Sequence, residues 1–179
     1  IKTTIKAHER ILFNGNGYSA QWEAQAEARG LSNKKTTVDA LPCMLSQKNI
    51  QLMDEMNVMS PVEMQSRYEV ELEHYSKVIN IEALTTLGMA RRQLIPAALD
   101  FLSAVAETAA SKKAVSAALS IKTEEQILTS VTKDVDDMNA AADKLDELMN
   151  QVDTIQGTYE LAAYYCHQVL PAMGEVRAA

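Results

Sequence analysis

The chain has 179 residues, 47% apolar and 23% charged, which is typical of a globular protein and excludes a collagen-like or largely disordered one. Its formal net charge of −7 and its pI near 5.0 argue against a general binder of nucleic acids or anionic membranes. The sequence contains no run of 18 apolar residues, so no membrane span is predicted. Six Gly and four Pro are too few for the many turns of an all-β domain.

The first part of the chain predicts a head of short helices, because apolar residues recur there at helical spacing between polar turns. Asn14-Gly15-Asn16-Gly17 predicts a turn, and Ser19 is a candidate N-cap for the helix that Gly30 would close. The predicted helices of the head span 2–13, 20–29, a short segment opened by Thr37 and Asp39 near Leu41 and Pro42, and 47–56.

A long helix is predicted to begin at Ser60-Pro61-Val62-Glu63, which combines an N-cap Ser, a Pro at the first helical position and a Glu at the third. From Tyr68 to Ile79 its apolar residues advance by four, three and four, and the helix is predicted to continue to about residue 118. This face comprises Tyr68, Leu72, Tyr75, Ile79, Leu84, Leu87, Ile95, Leu99 and Leu102. Pro96 lies inside the run and predicts a kink near Gln93 to Ile95.

The next helix is predicted to start at a second capping box, Thr123-Glu124-Glu125-Gln126. Its apolar residues alternate strictly at steps of three and four, which is the 3.5-residue period of a left-handed coiled coil. They are Leu128, Val131, Val135, Met138, Ala142, Leu145, Met149 and Val152. Nine acidic residues and two lysines lie between Glu124 and Asp153. The net charge of this segment, −7, therefore equals the formal net charge of the whole chain.

A last helix is predicted from Tyr159 to Met173, ending near Pro171 and Gly174. Together these patterns predict an all-α fold in which a short-helix head (1–58) is joined to long antiparallel helices (59–179) that form a coiled-coil-like hairpin or bundle. We expect the two parts to form one structural domain.

Two cysteines, Cys43 and Cys166, are too few for a disulfide scaffold and predict reduced, partly buried thiols in a cytoplasmic protein. The chain starts Ile1-Lys2-Thr3-Thr4, without Met and without a basic-then-apolar signal peptide. Because this start falls inside a predicted helix, we expect the sequence to be a piece of a longer protein.

One motif has the loose form of a dinucleotide fingerprint, Gly15-Asn16-Gly17-Tyr18-Ser19-Ala20, with Asp39 about 20 residues later. That fingerprint needs a buried strand before the glycines and another before the acidic residue. The sequence offers a polar helical segment and a polar loop instead, so a plain turn is the favoured interpretation.

Glu71-Leu72-Glu73-His74 contains the Glu-x-x-His spacing of di-iron bundles. Such a site needs a second copy of the motif, and the remaining histidines, His8 and His167, have no partner at ligand spacing. Cys166 and His167 are adjacent on a helix, so their side chains point about 100° apart and are poorly placed to form a nucleophile–base pair. A solvated helix face and ordinary packing are the favoured interpretations.

From the residues alone, we therefore predict no catalytic, metal or cofactor site in this segment, and no nucleic-acid or membrane partner. The acidic heptad helix leaves open a free-standing coiled-coil interaction module without enzymatic activity. A small metalloenzyme built on the helical bundle is the other alternative, and metal analysis of the purified protein would test it.

The order of several sequence blocks resembles the C-terminal region of type III glutamine synthetases. The similarity is strong over about residues 8–105, is looser over 106–156, and returns near the C-terminus. The blocks are Arg10 to Ser19, Trp22, Glu27 to Leu31, Thr37 to Pro42, Ser66 to Glu69, Tyr75 to Thr85, Tyr164-Tyr165 and Val169 to Met173.

This resemblance implies a parent ligase that joins ammonia to glutamate with ATP and Mg²⁺, and that assembles as two stacked hexameric rings. It also implies that the metal-binding carboxylates and phosphate-binding arginines lie on a β-rich domain upstream, so no catalytic residue is assigned here. We expect this segment to be a scaffold that contacts the rest of its subunit and neighbouring identical subunits, and to be inactive alone.

Overall fold

The computed structural model describes residues 1–179 and contains helices but no strands, which confirms the predicted all-α class. The α-helices are α1 (Lys2–Ala7), α2 (Ala20–Ala28), α3 (Thr37–Ala40), α4 (Gln47–Glu55), α5 (Pro61–Met89), α6 (Ile95–Val115), α7 (Lys122–Gln151), α8 (Thr158–Tyr164) and α9 (Leu170–Ala178). Two π-helical turns, Ala90–Leu94 and Tyr165–Val169, join α5 to α6 and α8 to α9 without a break. Short 3₁₀ segments are Glu9–Ile11, Leu41–Leu45 and Val152–Thr154.

The first helix is shorter than predicted. α1 ends at Ala7, and its continuation is a single 3₁₀ turn before the chain becomes extended at Leu12. No residue of α1 is buried. Because short helices in water depend on tertiary packing, an unpacked segment of this length has little to extend it.

The start of α2 confirms the predicted cap, since the Ser19 hydroxyl accepts a hydrogen bond from the Trp22 backbone N–H at 3.3 Å. Trp22 stacks on Phe13 with ring centroids 4.5 Å apart. The Arg29 guanidinium donates to the carbonyl of Leu12 at 2.6 Å. These contacts fold the N-terminal segment onto α2, and Gly30 ends the helix with a φ of +74°.

The capping box at the start of α5 is also confirmed. The Glu63 carboxylate accepts from the Ser60 backbone N–H at 2.7 Å, and the Ser60 hydroxyl accepts from the Glu63 N–H at 3.3 Å. Leu72, Ile79 and Leu87 face the core as predicted. The prediction was wrong at Leu84 and Leu99, which are 54% and 52% exposed. The apolar face of this helix is therefore wider than the face that the chain itself covers.

Neither internal proline ends its helix. The predicted kink at Pro96 is a π turn at Ala90–Leu94, after which the helix runs on to Val115. Likewise the last helix was predicted to end at Met173, near Pro171 and Gly174, but it continues through Gly174 to Ala178. A π turn places its carbonyls differently from an α turn, so the missing proline N–H and the ring are accommodated without breaking the rod.

The second predicted capping box was wrong. α7 begins at Lys122 with Ile121 as its N-cap, and no side chain caps it. Glu124 instead forms an ion pair with Lys112 of α6. Thr123, the predicted N-cap, is therefore already the second residue of the helix, and the ion pair of Glu124 links the two long helices near the tip of their hairpin.

The main core lies where α7 packs against α5 and the α8–α9 rod. It contains ten buried residues, which are Ile79, Ala83, Leu87, Ala90, Ala142, Leu145, Tyr165, Val169, Ala172 and Val176. Ala142 and Leu145 of the heptad face are fully buried, whereas the heptad residues nearer the hairpin tip are only half-buried. The supercoil itself stays a prediction.

A smaller cluster connects the head to this bundle. Val38 of α3 is fully buried against Leu72, Ala162 and Cys166. This contact crosses the predicted boundary between 1–58 and 59–179, a division that stays a prediction.

The continuous rod Pro61–Val115 contains an 18-residue stretch with a mean hydropathy of 1.3, of which only 6% is buried. By length and composition alone it could cross a membrane, although helices of soluble proteins also meet this criterion. The sequence predicted no membrane span because it has no uninterrupted run of 18 apolar residues, and this stretch is not such a run. The absence of a membrane span therefore stays a prediction.

Candidate functional site

The glycine motif after α1 is a turn, as the sequence analysis favoured. The Asn16 side-chain oxygen accepts from the Tyr18 N–H at 3.0 Å, and the Asn16 carbonyl accepts from the Ser19 hydroxyl at 2.7 Å. A Cβ at Gly15 would approach the Phe13 ring to 2.5 Å, so packing against that ring explains this glycine. No strand precedes the motif, and Asp39 serves instead as hydrogen-bond partner of Thr36 at 2.7 Å.

The Glu-x-x-His spacing lies on the solvent side of α5. Glu71 and His74 are both exposed, while Leu72 between them is fully buried. No group of three or more His, Cys, Asp or Glu side chains is positioned to hold a metal ion. The structure therefore does not bring these residues together with further ligands.

Both cysteines are free thiols, as predicted, and Cys166 is buried; the predicted partial burial was wrong at Cys43, which is exposed. Burial, together with a hydrogen bond to the Cys166 thiol, raises the pKa of the Tyr75 hydroxyl. The neighbouring Tyr165 donates to the side-chain oxygen of Asn80 at 3.0 Å. These polar contacts lie inside the bundle, where they align α5 with the α8–α9 rod.

A charged clamp fixes the first π turn to α7. Arg91 donates through one terminal nitrogen to Asp143 and through the other to Asp146, each at 2.7 Å. Lys144 of α7 pairs with Glu175 of α9 at 2.7 Å. Each rod of the bundle is thus tied to α7 by an ion pair, from the π turn in the first rod and from α9 in the second.

An apolar groove lies between α5 and α9, with a volume of about 530 Å³. We call it the α5–α9 groove; it is lined by Glu82, Thr86, Met89, Ala90, Leu94, Leu170, Met173, Gly174, Val176 and Arg177. Sequence reasoning missed it because these residues come from two helices 75 or more positions apart. The signal in the sequence that could have revealed the groove is that Met89 and Leu94 are apolar but do not belong to the buried face of the helix.

The geometry defines surfaces for packing rather than a centre for chemistry. The polar side chains singled out from the sequence lie apart from one another, and the hydroxyls of Tyr75 and Tyr165 are engaged in contacts between helices. Several large apolar side chains remain exposed along the rod, among them Ile81, Leu84, Met89, Leu94, Leu99 and Phe101. Exposed apolar area of this extent is typical of surfaces that contact other proteins.

A family model described as the glutamine synthetase C-terminal domain matches residues 1–113. The chain is 35% identical over 177 residues to a glutamine synthetase of Butyrivibrio fibrisolvens, covering 99% of this chain and 25% of that relative. It is 35% identical over 184 residues to the type-3 glutamine synthetase of Dictyostelium discoideum, with the same two coverages. A glutamine synthetase of Bacteroides fragilis is 30% identical over 107 residues, which are 60% of this chain and 15% of the relative.

The first two matches run through the whole bundle, including α7 and the α8–α9 rod, which lie beyond the region of the family model. The chain spans about a quarter of the length of these relatives. The resemblance noted from the sequence blocks is therefore confirmed, and the chain belongs to the glutamine synthetase family, in which it corresponds to the C-terminal domain.

Proposed function

We propose that this chain is the structural C-terminal domain of an ATP-dependent glutamine synthetase and takes no direct part in the chemistry. The parent enzyme would join ammonia to glutamate with ATP and Mg²⁺ in the cytoplasm. The observation that carries the proposal is the match over 99% of this chain to only 25% of each of two glutamine synthetases. Because this segment corresponds to only a quarter of those enzymes, we expect it to stabilise a protein whose active site is formed elsewhere in the polypeptide.

The exposed apolar residues of the rod support a packing role. Burying apolar area stabilises a contact by about 25 cal/mol per Å², so a surface that presents Ile81, Leu84 and Leu99 to water gains from a protein cover. We propose that this cover is the remainder of the subunit together with neighbouring identical subunits. The ring arrangement of two stacked hexamers is part of the same proposal.

Protein is a better cover for the rod than lipid. α6 packs along α7, whose Asp and Glu side chains line the other side of the hairpin. Carboxylates are costly in hydrocarbon, so the hairpin would bring several of them into the bilayer with the apolar stretch. We therefore propose that the domain spans no membrane.

The first test is an assay of the purified 179-residue chain for glutamine formation from glutamate, ammonia, ATP and Mg²⁺. We expect no glutamine above a no-enzyme control, because the chain presents no converging carboxylates that could hold a divalent metal. Measurable ATP-dependent glutamine production would refute the proposed division of labour.

A chimera tests the supporting role directly. This chain would replace the matching C-terminal segment of the Butyrivibrio fibrisolvens glutamine synthetase, with a version lacking the segment as the control. We expect the truncated control to lose both assembly and activity, and the chimera to recover both. Sedimentation velocity measures assembly. A truncated control that assembles and works normally would contradict the proposal.

The acidic outer face of α7 favours one alternative, a free-standing coiled-coil interaction module without enzymatic activity. The gene sequence upstream of the codon for Ile1 distinguishes the two functions. An open reading frame that continues upstream into a synthetase catalytic region supports the domain, whereas a stop codon and a start codon directly before Ile1 support the module.

A further inference from the structure

The α5–α9 groove is an exposed apolar surface on an otherwise packed part of the bundle. Its walls include Met89, Leu94 and Leu170, which are 47%, 49% and 41% exposed, and its floor is formed by the buried Ala90 and Val176. Large apolar side chains over a small-residue floor form the kind of cleft into which helix side chains insert. The chain itself leaves this cleft open.

The direction of the two helices gives the groove two distinct ends. Tyr165 contacts Asn80, and the later residues of α9 line the groove with the later residues of α5, so the rods run parallel. Glu82 therefore lies toward one end, and Arg177 lies toward the other. Both side chains are exposed, and neither forms an ion pair within the chain.

A glycine lies near the middle of the groove. Gly174 is an interior residue of α9, where glycine costs about 1 kcal/mol relative to alanine. A Cβ at this position would meet nothing within 4 Å, so no contact inside the chain requires a glycine. The absence of a side chain does permit a second helix to approach the α9 backbone closely.

We propose that the α5–α9 groove is a two-fold contact between two copies of this chain. A two-fold axis across the middle of the groove exchanges its ends, so Glu82 of one copy meets Arg177 of the partner subunit, and the reverse pair forms at the other end. An apolar centre flanked by two opposite charges is thus complementary to itself, as an isologous interface requires. The inference rests on the proposed function and names the face by which neighbouring subunits meet.

The expected affinity follows from the size of the groove. Residues 82–94, which form one wall of the groove, extend about 18 Å at 1.5 Å per residue. A contact of this length buries less area than a standard interface, which buries about 800 Å² on each partner. We therefore expect a weak dimer of the isolated chain, with a dissociation constant in the micromolar range or above. In an assembly with other contacts, the same face acts at high effective concentration.

Charge reversal tests the two-fold arrangement. Glu82→Arg places two positive charges at each end of the contact, and Arg177→Glu places two negative charges there. Each single variant should weaken dimerisation about tenfold, which corresponds to roughly 0.7 kcal/mol at each of the two ends. An equimolar mixture of the two variants should restore association, because every end of the heterodimer then carries opposite charges.

Sedimentation velocity over a concentration series measures these dissociation constants. Loss of association that the mixture does not repair would overturn the proposal, as would a chain that stays monomeric at millimolar concentration. The latter result would mean that another part of the polypeptide occupies the groove. Neither outcome affects the assignment to the glutamine synthetases, which the chimera tests separately.

Cross-linking provides a second readout that does not depend on the charges. Gly174→Cys, made in a Cys43→Ser background, should form a disulfide-linked dimer under mild oxidation, since the axis brings the two copies of position 174 together. Asp134→Cys in the same background is the matched control, because this exposed residue lies on α7 and away from the groove. Equal cross-linking of both variants would count against the proposal.

Discussion

Arg91 and Asp143 are linked across 52 residues of sequence by an ion pair of 2.7 Å, and the other terminal nitrogen of the same guanidinium contacts Asp146. The hydrogen bonds that the guanidinium donates to Asp146 and Asp143 raise the pKa of Arg91. Since Arg91 lies in the π turn, the clamp fixes the rod to α7 at the point where its helical geometry changes. A two-pronged contact of this kind is more specific than a single Lys–carboxylate pair.

Replacing Arg91 by Ala should lower the free energy of unfolding by about 1 kcal/mol, because both ion pairs are lost while the side chain is 38% exposed. Urea unfolding at low and at high NaCl concentration measures the effect, which should shrink with salt. Lys77→Ala is the control, since its pair with Glu73 is an exposed contact within one helix. An equal loss in both variants would argue against a special role of the clamp.

Replacing Leu145 by Ala should destabilise the fold by about 2–5 kcal/mol, because the side chain is fully buried at the centre of the main core. Leu84→Ala is the matched control on α5, where the leucine is 54% exposed, and it should cost less than about 1 kcal/mol. Chemical denaturation of both variants measures the difference. Similar losses would mean that Leu84 is covered in solution, which would place a partner on that face.

Replacing Gly174 or Gly88 by Ala should stabilise the monomer by about 1 kcal/mol each, since a Cβ would meet no neighbouring atom at either position. Thermal unfolding of dilute protein measures this gain. Only Gly174→Ala should also weaken dimerisation, because Gly88 lies outside the α5–α9 groove. Weaker association in both variants would contradict the groove as the contact.

Alkaline pH should destabilise the bundle through Tyr75. The folded state raises the pKa of this hydroxyl above its unfolded value near 10, so the associated stability is complete below about pH 10 and is lost as the pH rises toward the folded pKa. Tyr75→Phe has no hydroxyl to ionise and should lose less stability between about pH 9 and pH 11. Urea midpoints at both pH values measure this, and parallel losses in both proteins would exclude Tyr75 as the cause.

The elements that the sequence predicted well are those decided by local physics. Ser19 and Ser60 cap helices because their hydroxyl groups lie within reach of the backbone N–H groups three residues later, and this depends only on the neighbouring chain. The all-α class follows in the same way from the helical spacing of apolar residues. Local rules also favoured the simple turn at Gly15.

The errors arise where distant residues compete with a local rule. Thr123 has the position of an N-cap in the sequence pattern, but α7 already begins at Lys122, and Glu124 next to it pairs with Lys112 on the preceding helix. Pro171 has the chemistry of a helix stop, but the buried Val169 and Ala172 on either side keep the rod in place. The α5–α9 groove could not be predicted from the sequence for the same reason. It forms only when the fold places Leu94 near Leu170.

The π turn at Ala90–Leu94 also bears on how this domain compares with its relatives. A π turn holds one more residue than an α turn over nearly the same rise. A chain that lacks one residue here could therefore run as an ordinary α-helix and still present the same α6 surface to α7. Single-residue gaps between family members should fall at this position more readily than elsewhere in the rod, and a shorter member would need no compensating change in the hairpin.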